Sequence, residues 1–204
     1  MRAIKALGQN FLTNQHTIAD IISHVITLQP LTILEVGPGK GALTFPLSRE
    51  CDRIIAVEKD ALLAETLKSQ LSEKQISNVT VIHEDILEFD VDDHLESAFQ
   101  IVGSLPFNIS KRIIKKFITS DSANFTYFHA IIQKEVAEKM TAAAPRSTYL
   151  SHFIRLYAKP ELIFDIPAGQ FSPKPRVDAS YIQLTKVTPP ADHSQRNAFL
   201  KTLF

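Results

Sequence analysis

The chain has 204 residues, a formal net charge of zero and 45% hydrophobic residues. That length suits one globular domain with a substantial core, and no apolar stretch approaches the roughly 20 residues of a membrane span. The single cysteine, Cys51, excludes an internal disulfide and fits a reducing cytoplasm. The start of the chain has no apolar run of the signal-peptide type, and the seven histidines show no metal-ligand spacing.

A helix is expected over 14–27, with Asn14 as N-cap and Ile18, Ile21, Ile22, Val25 and Ile26 at helical spacing. Pro30 closes the connection, and residues 31–36 form an apolar run short enough for one buried parallel strand. Gly37, Gly39 and Gly41 then turn the chain into a helix over 42–50, with Pro46 near its first turn. Residues 53–57 are the next strand, ending in Glu58, and a helix over 61–72 carries Leu62, Leu63, Leu67 and Leu71 on one side. A strand over 78–83 leads into Glu84 and Asp85. Another over 99–103 leads into Ser104-Leu105-Pro106-Phe107-Asn108. Strand and helix alternate over 31–119, which predicts an α/β, doubly wound parallel sheet. A helix over 110–119, a strand over 127–133, a helix opening at Gln133, a loop over 142–146, a helix over 148–157 and strands over 162–166 and 179–184 follow. There is no internal repeat.

A strand running through glycines into a helix lets backbone N–H groups approach a ligand closely. The spacing G-x-G-x-G is not the dinucleotide fingerprint, and a purely structural turn is the competing reading. Glu58 lies 21 residues after Gly37, at the end of the next strand, where an acid can hydrogen-bond both hydroxyls of a ribose. An acid favoured by a helix N-terminus would look the same. Asp85 stands where it could accept from the exocyclic amine of an adenine. All of these positions, with Ser104, fall beyond the carboxyl ends of strands, where such sheets bind ligands, and together they indicate an adenosine-type cofactor.

The runs GQNFL, ILEVGPGKGALT, VEKD, EDIL, GSLPFNIS, QKEV and FSPKPRVD occur in this order over residues 5–187. Together they resemble the ribosomal RNA adenine dimethyltransferases of the KsgA type, with the Erm enzymes as relatives. The resemblance implies a class I S-adenosylmethionine-dependent methyltransferase fold: Rossmann-like, seven-stranded, with the last strand antiparallel. It also implies dimethylation of adenine N6 in small-subunit ribosomal RNA by a monomeric cytoplasmic enzyme acting on an assembling particle. Asn10, Leu12, Gly37, Gly39, Glu58, Asp85 and Ser104 would hold S-adenosylmethionine, and Ser104, Leu105, Pro106 and Phe107 would form the catalytic loop. An adenine amine is a poor nucleophile because its lone pair is delocalised into the ring. Acceptors at Ser104 and the Leu105 carbonyl would hold its hydrogens and favour a tetrahedral nitrogen, with no metal required. Phe107 and Phe171 would stack on the two faces of a flipped-out base, although core packing is the usual fate of a phenylalanine.

Besides the expected shortening of the helical domain, two departures from the family pattern stand out. Ser104 replaces the usual Asn, though its hydroxyl still offers acceptor lone pairs. Ser147-Thr148-Tyr149 replaces the usual Tyr-Gly before Leu150-Ser151. Residues 1–99 hold 8 Lys/Arg and 15 Asp/Glu, a net of −7, whereas residues 100–204 hold 14 and 7, a net of +7. Such asymmetry suits a basic half that handles a polyanion, or two halves that complement each other. Lys111, Arg112, Lys115, Lys116, Lys174 and Arg176 are the expected RNA-contacting cations. The catalytic domain is expected over 1–190, with 191–204 beginning a truncated helical domain. An Erm-like methyltransferase of large-subunit RNA and a non-catalytic RNA-binding assembly or transcription factor on the same scaffold remain as alternatives.

Overall fold

Short runs of Val, Ile and Leu that are buried on both faces build the centre of the molecule, in the manner of parallel strands covered by helices. The computed structural model describes residues 10–120 and 124–187. Its strands are β1 (Phe11–Leu12), β2 (Thr32–Val36), β3 (Arg53–Glu58), β4 (Val79–His83), β5 (Phe99–Ser104), β6 (Phe125–Gln133), β7 (Ala158–Ile166), β8 (Phe171–Ser172) and β9 (Ala179–Lys186). Its α-helices are α1 (Gln15–Ile26), α2 (Thr44–Leu47), α3 (Ala61–Glu73), α4 (Ser110–Ile118), α5 (Lys134–Thr141) and α6 (Tyr149–Arg155). Seven strands form one sheet in the order β4-β3-β2-β5-β6-β9-β7, and β9 alone runs against its neighbours. The expected seven-stranded sheet with an antiparallel last strand is therefore present. The direction of the chain switches between β2 and β5, the seam where doubly wound sheets bind ligands.

Helices cover both faces. Ile18, Ile21, Ile22 and Val25 of α1 pack with Leu47, Leu67 and Leu71 against Ile33, Ile54 and Val102. On the other face Ile113, Ile114, Phe117 and Ile118 of α4 join Ala137, Met140 and Ile154 over Leu34, Ile55, Ile101 and Phe128. Each fully buried side chain of this size contributes about 1.5–3 kcal/mol. Asn14 caps α1 by accepting from the Thr17 N–H, and Asp60 caps α3 by accepting from Leu62 and Leu63.

Two expectations need correction. The helix over 42–50 shrinks to the four residues of α2, flanked by turns. Pro46 has no N–H to donate back to Ala42, so a regular ladder cannot run through it. Leu62 faces solvent at 63% exposure, leaving Leu63, Leu67 and Leu71 as the buried face of α3. The boundary at 190 and the segment 191–204 lie outside the described residues.

A polar network ties α1 to the sheet. The Gln100 side-chain amide donates to the carbonyls of Leu28 and Pro30, so its oxygen accepts from Nε2 of His129 at 2.9 Å. Nδ1 of His129 then accepts from the Tyr181 hydroxyl at 2.8 Å, which fixes the imidazole as the neutral Nε2–H tautomer. Burial pushes its pKa down to about 3. Cys51 is buried as well; burial and then the neighbouring acids Asp52 and Glu50 push its thiol up to about 11, an unreactive state.

Candidate active site

The glycine turn after β2 is the floor of the site. Gly37, Gly39 and Gly41 adopt φ values of +66, +57 and +80°, a left-handed conformation that favours glycine. A Cβ on Gly37 would meet nothing within 4 Å, so the turn opens onto free space, whereas one on Gly39 would lie 2.8 Å from the Phe11 ring. Phe11 belongs to a strap in which β1 pairs with β8, Leu12 opposite Phe171. Thr13 reinforces the strap by donating its backbone N–H to the Gln170 carbonyl at 2.8 Å. Lys40 lies over the Phe11 ring, 4.9 Å from its centroid.

Glu58 ends β3 and is 6% exposed. Its two carboxyl oxygens accept from the N–H groups of Gly39, at 3.0 Å, and Asp60, at 2.9 Å, so it pins the glycine turn. Burial raises its pKa, and these hydrogen bonds act in the opposite direction. Asp85, after β4, accepts from the Leu87 N–H through one oxygen and from the Lys59 ammonium, at 2.6 Å, through the other. Those two hydrogen bonds, Lys59 first, hold its carboxyl below the usual range.

These residues meet in one crevice of about 230 Å³, which Asn10, Leu12, Gly37, Gly39, Glu58, Asp85, Ser104, Leu105, Pro106 and Phe107 all line. Ser104 ends β5, and Leu105 is held by donating its N–H to the Ile131 carbonyl. Phe107 is half-buried on the crevice wall, against the core cluster of α1. Phe171 stands apart from the lining: it is 4% exposed and packs in that same core behind Leu12. The burial supports the strap and offers no open ring face.

The six expected RNA cations divide. Lys111, Arg112 and Lys115 are exposed along α4. Lys116 is not available in the same way, because its ammonium donates to the carbonyls of Ile86, at 2.9 Å, and Phe89, at 2.6 Å. Lys174 and Arg176 are exposed on a separate groove, which also carries Lys134, Glu135, Glu138 and Asp178. Among the described residues no group of three or more His, Cys, Asp or Glu could hold a metal, and no helix is long and apolar enough to cross a membrane.

Sequence reasoning passed over Phe11, Lys59 and Glu35, which also line the crevice. Two-residue strands have no periodicity to read, and nothing in the pattern marks Lys59. Glu35 did leave a signal: a charged residue inside an apolar strand. It is 1% exposed, and one of its carboxyl oxygens has no hydrogen-bond partner.

A family model described as ribosomal RNA adenine dimethylase matches residues 2–204. The ribosomal RNA small subunit methyltransferase A of Oceanobacillus iheyensis is 35% identical to this chain, over 98% of the chain and 70% of that protein. The protein of the same name from Bacillus licheniformis is 34% identical, over 96% of the chain and 68% of its own length. Among solved structures, that of the 23S rRNA methyltransferase ErmE superposes with a TM-score of 0.81 at 26% identity, covering 95% of this chain and 77% of that one. A dimethyladenosine transferase from Plasmodium falciparum superposes at 0.76 with 23% identity, over 87% and 63% of the two chains, and supports the fold alone.

Proposed function

The chain belongs to the ribosomal RNA adenine dimethylase family, and from that premise we propose that its crevice methylates N6 of adenines in small-subunit ribosomal RNA with S-adenosylmethionine. The observation that carries the reading is the meeting of the glycine turn, Glu58, Asp85 and the Ser104–Phe107 loop in one crevice at the switch between β2 and β5.

The residues fit the cofactor. The open space over Gly37 leaves room for a chain to lie against the turn. Each oxygen of Glu58 already accepts one N–H and keeps a further lone pair for a ribose hydroxyl. Asp85 is an anionic acceptor one strand further out, suited to a purine amine. When bound, the sulfonium cofactor supplies an electrophilic methyl group.

Everything else falls to positioning. The Ser104 hydroxyl and the Leu105 carbonyl accept the two hydrogens of the target amine, so its lone pair is drawn out of the ring and towards the methyl. Phe107 supplies a stacking face for the extruded base, and Pro106 stiffens the loop that presents it. The proton released on methylation passes to solvent; the Ser104 hydroxyl can relay it but cannot keep it. Lys111, Arg112 and Lys115 supply phosphate contacts, which fix the RNA without reading its sequence. On this reading the protein works where ribosomes are assembled, in the cytoplasm.

The relatives matched at 34–35% identity are named for the small subunit, which favours that substrate over the large-subunit RNA named for ErmE. The deciding experiment is methyl transfer to immature small subunits and, in parallel, to large-subunit RNA, with the modified nucleotides mapped. Dimethyladenosine in the small subunit is the expected product. Modification of large-subunit RNA alone transfers the assignment to the Erm type. Failure of S-adenosylhomocysteine to raise the melting temperature sinks the enzymatic reading altogether.

A further inference from the structure

The purine end of the crevice holds a cation that the reading above does not require. Lys59, the residue after Glu58, places its ammonium 2.6 Å from one oxygen of Asp85, and both side chains line the crevice. The other oxygen of Asp85 accepts from the Leu87 N–H at 3.0 Å. Arg112 bears on Asp85 only through its longer-range charge, so Lys59 is the cation in contact. About half of the Lys59 side chain is exposed, against a fifth of Asp85. The ammonium therefore stands at the solvent side of the carboxylate, on a four-carbon stem that can redirect its three donors.

An ionised carboxylate only accepts hydrogen bonds. Alone at this point, it would take a purine 6-amino group and repel a 6-oxo group. A site built around a single hydrogen-bonding pattern rejects the mismatched analogue strongly, because its polar groups are left unpaired. Lys59 brings donors to the same edge. We propose that Lys59 and Asp85 together read the purine 6-position from both sides: the carboxylate accepts from a 6-amino group and the ammonium donates to a 6-oxo group. The crevice then admits hypoxanthine nucleosides as well as adenine nucleosides, and Lys59 sets that breadth. The inference rests on Asp85 being the purine acceptor, as in the reading above.

Calorimetric titration of the full chain with S-adenosylhomocysteine and with its 6-oxo analogue, S-inosylhomocysteine, tests it. The readout is the ratio of the two dissociation constants, in which any general loss of affinity cancels. In the wild type the two ligands are expected within about tenfold of each other, and Lys59→Met should widen the ratio by a further factor of about ten or more, the size of one charge-assisted hydrogen bond. Lys59→Arg, which keeps donors at that edge, should return the ratio towards the wild-type value. An equal ratio in wild type and Lys59→Met overturns the inference and leaves Asp85 as the amine acceptor. Binding of neither ligand to the wild type overturns the parent reading and this one with it.

Discussion

Glu35 sits in β2 between apolar neighbours, 1% exposed, at the wall of the crevice. Burial pushes its pKa from 4.5 to about 7; contacts with Thr44 hold back part of that rise, and the charge of Glu58 adds to it. The sign of the consequence follows from proton binding. Between pH 4.5 and 7 the folded protein holds a proton on Glu35 that the unfolded chain has released, so stability falls as pH rises through this window and levels off above it. The shift corresponds to about 3 kcal/mol. Glu35→Gln, which cannot ionise, should flatten this dependence, so that its melting temperature gains on the wild type as the pH passes from 4.5 to 7. Parallel curves for the two proteins would show that Glu35 does not carry the proton. At the site itself, Phe107 and Glu58 should separate two functions. On the proposed reading Phe107→Ala removes a stacking face worth about 1–3 kcal/mol, so kcat/KM should drop by about ten- to a hundredfold while the affinity for S-adenosylhomocysteine stays within about twofold. Glu58→Ala should weaken that affinity first. Equal loss of transfer and ligand affinity in both variants would contradict the division of labour. The places of Glu58, Asp85 and Ser104 on one crevice are legible because each stands at or just past a strand end, where chain order alone assigns a position. Phe171 shows the limit of this logic: its motif neighbours suggest a base, but the residue is 4% exposed and packs in the core with Leu12.

At the scale of elements, α4 illustrates how one helix serves two faces. Its apolar residues bury against the sheet, and three of its four cations reach solvent. Lys116 instead clamps the loop that carries Asp85, through the carbonyls of Ile86 and Phe89, and burial lowers its pKa against the pull of Asp90 and Glu84. Hydrogen bonds from a charged donor contribute about 1.5–3 kcal/mol, less where solvent reaches them. Lys116→Met should therefore lower stability by about 1–2 kcal/mol and speed amide hydrogen exchange at Leu87–Phe89, whose N–H groups bond within this loop. Lys111→Ala should do neither. Unchanged exchange in Lys116→Met would mean that the loop holds itself. Helical spacing exposed the amphipathic pattern of α4 to sequence reading, but spacing cannot say which of two adjacent lysines turns inward. The short α2 departs from expectation for a related reason: Pro46 is tolerated only in a first turn, and the observed turns at 41–43 delay the helix to Thr44, which places Pro46 there.

Across the whole molecule, the opposed charges of the two halves of the chain acquire a direction. The sheet order places the strands of the acidic half, β4, β3 and β2, together on one side of the crevice, and those of the basic half, β5, β6, β9 and β7, on the other. Sequence halves need not map onto spatial halves; for the strands of the sheet they do here, because the chain winds outward from β2 in one direction and then from β5 in the other, although the acidic loop after β4 packs against α4. A polyanion approaching such a surface is steered by the basic side and repelled from the purine end, even though the formal net charge is zero. RNA affinity should then depend on salt as though only the local cations mattered. With Lys111, Arg112 and Lys115 engaged, the slope of log K against log salt for a single-stranded RNA should be about −2, at roughly −0.7 for each phosphate neutralised. Removing Lys111 and Lys115 together should shrink it by about half or more, while S-adenosylhomocysteine affinity, set inside the crevice, keeps its own weak dependence. Fluorescence anisotropy at four or five salt concentrations measures both. A flat slope for the wild type, or one untouched by the double variant, would mean that the RNA approaches by another face and that the charge asymmetry of the two halves serves their mutual packing.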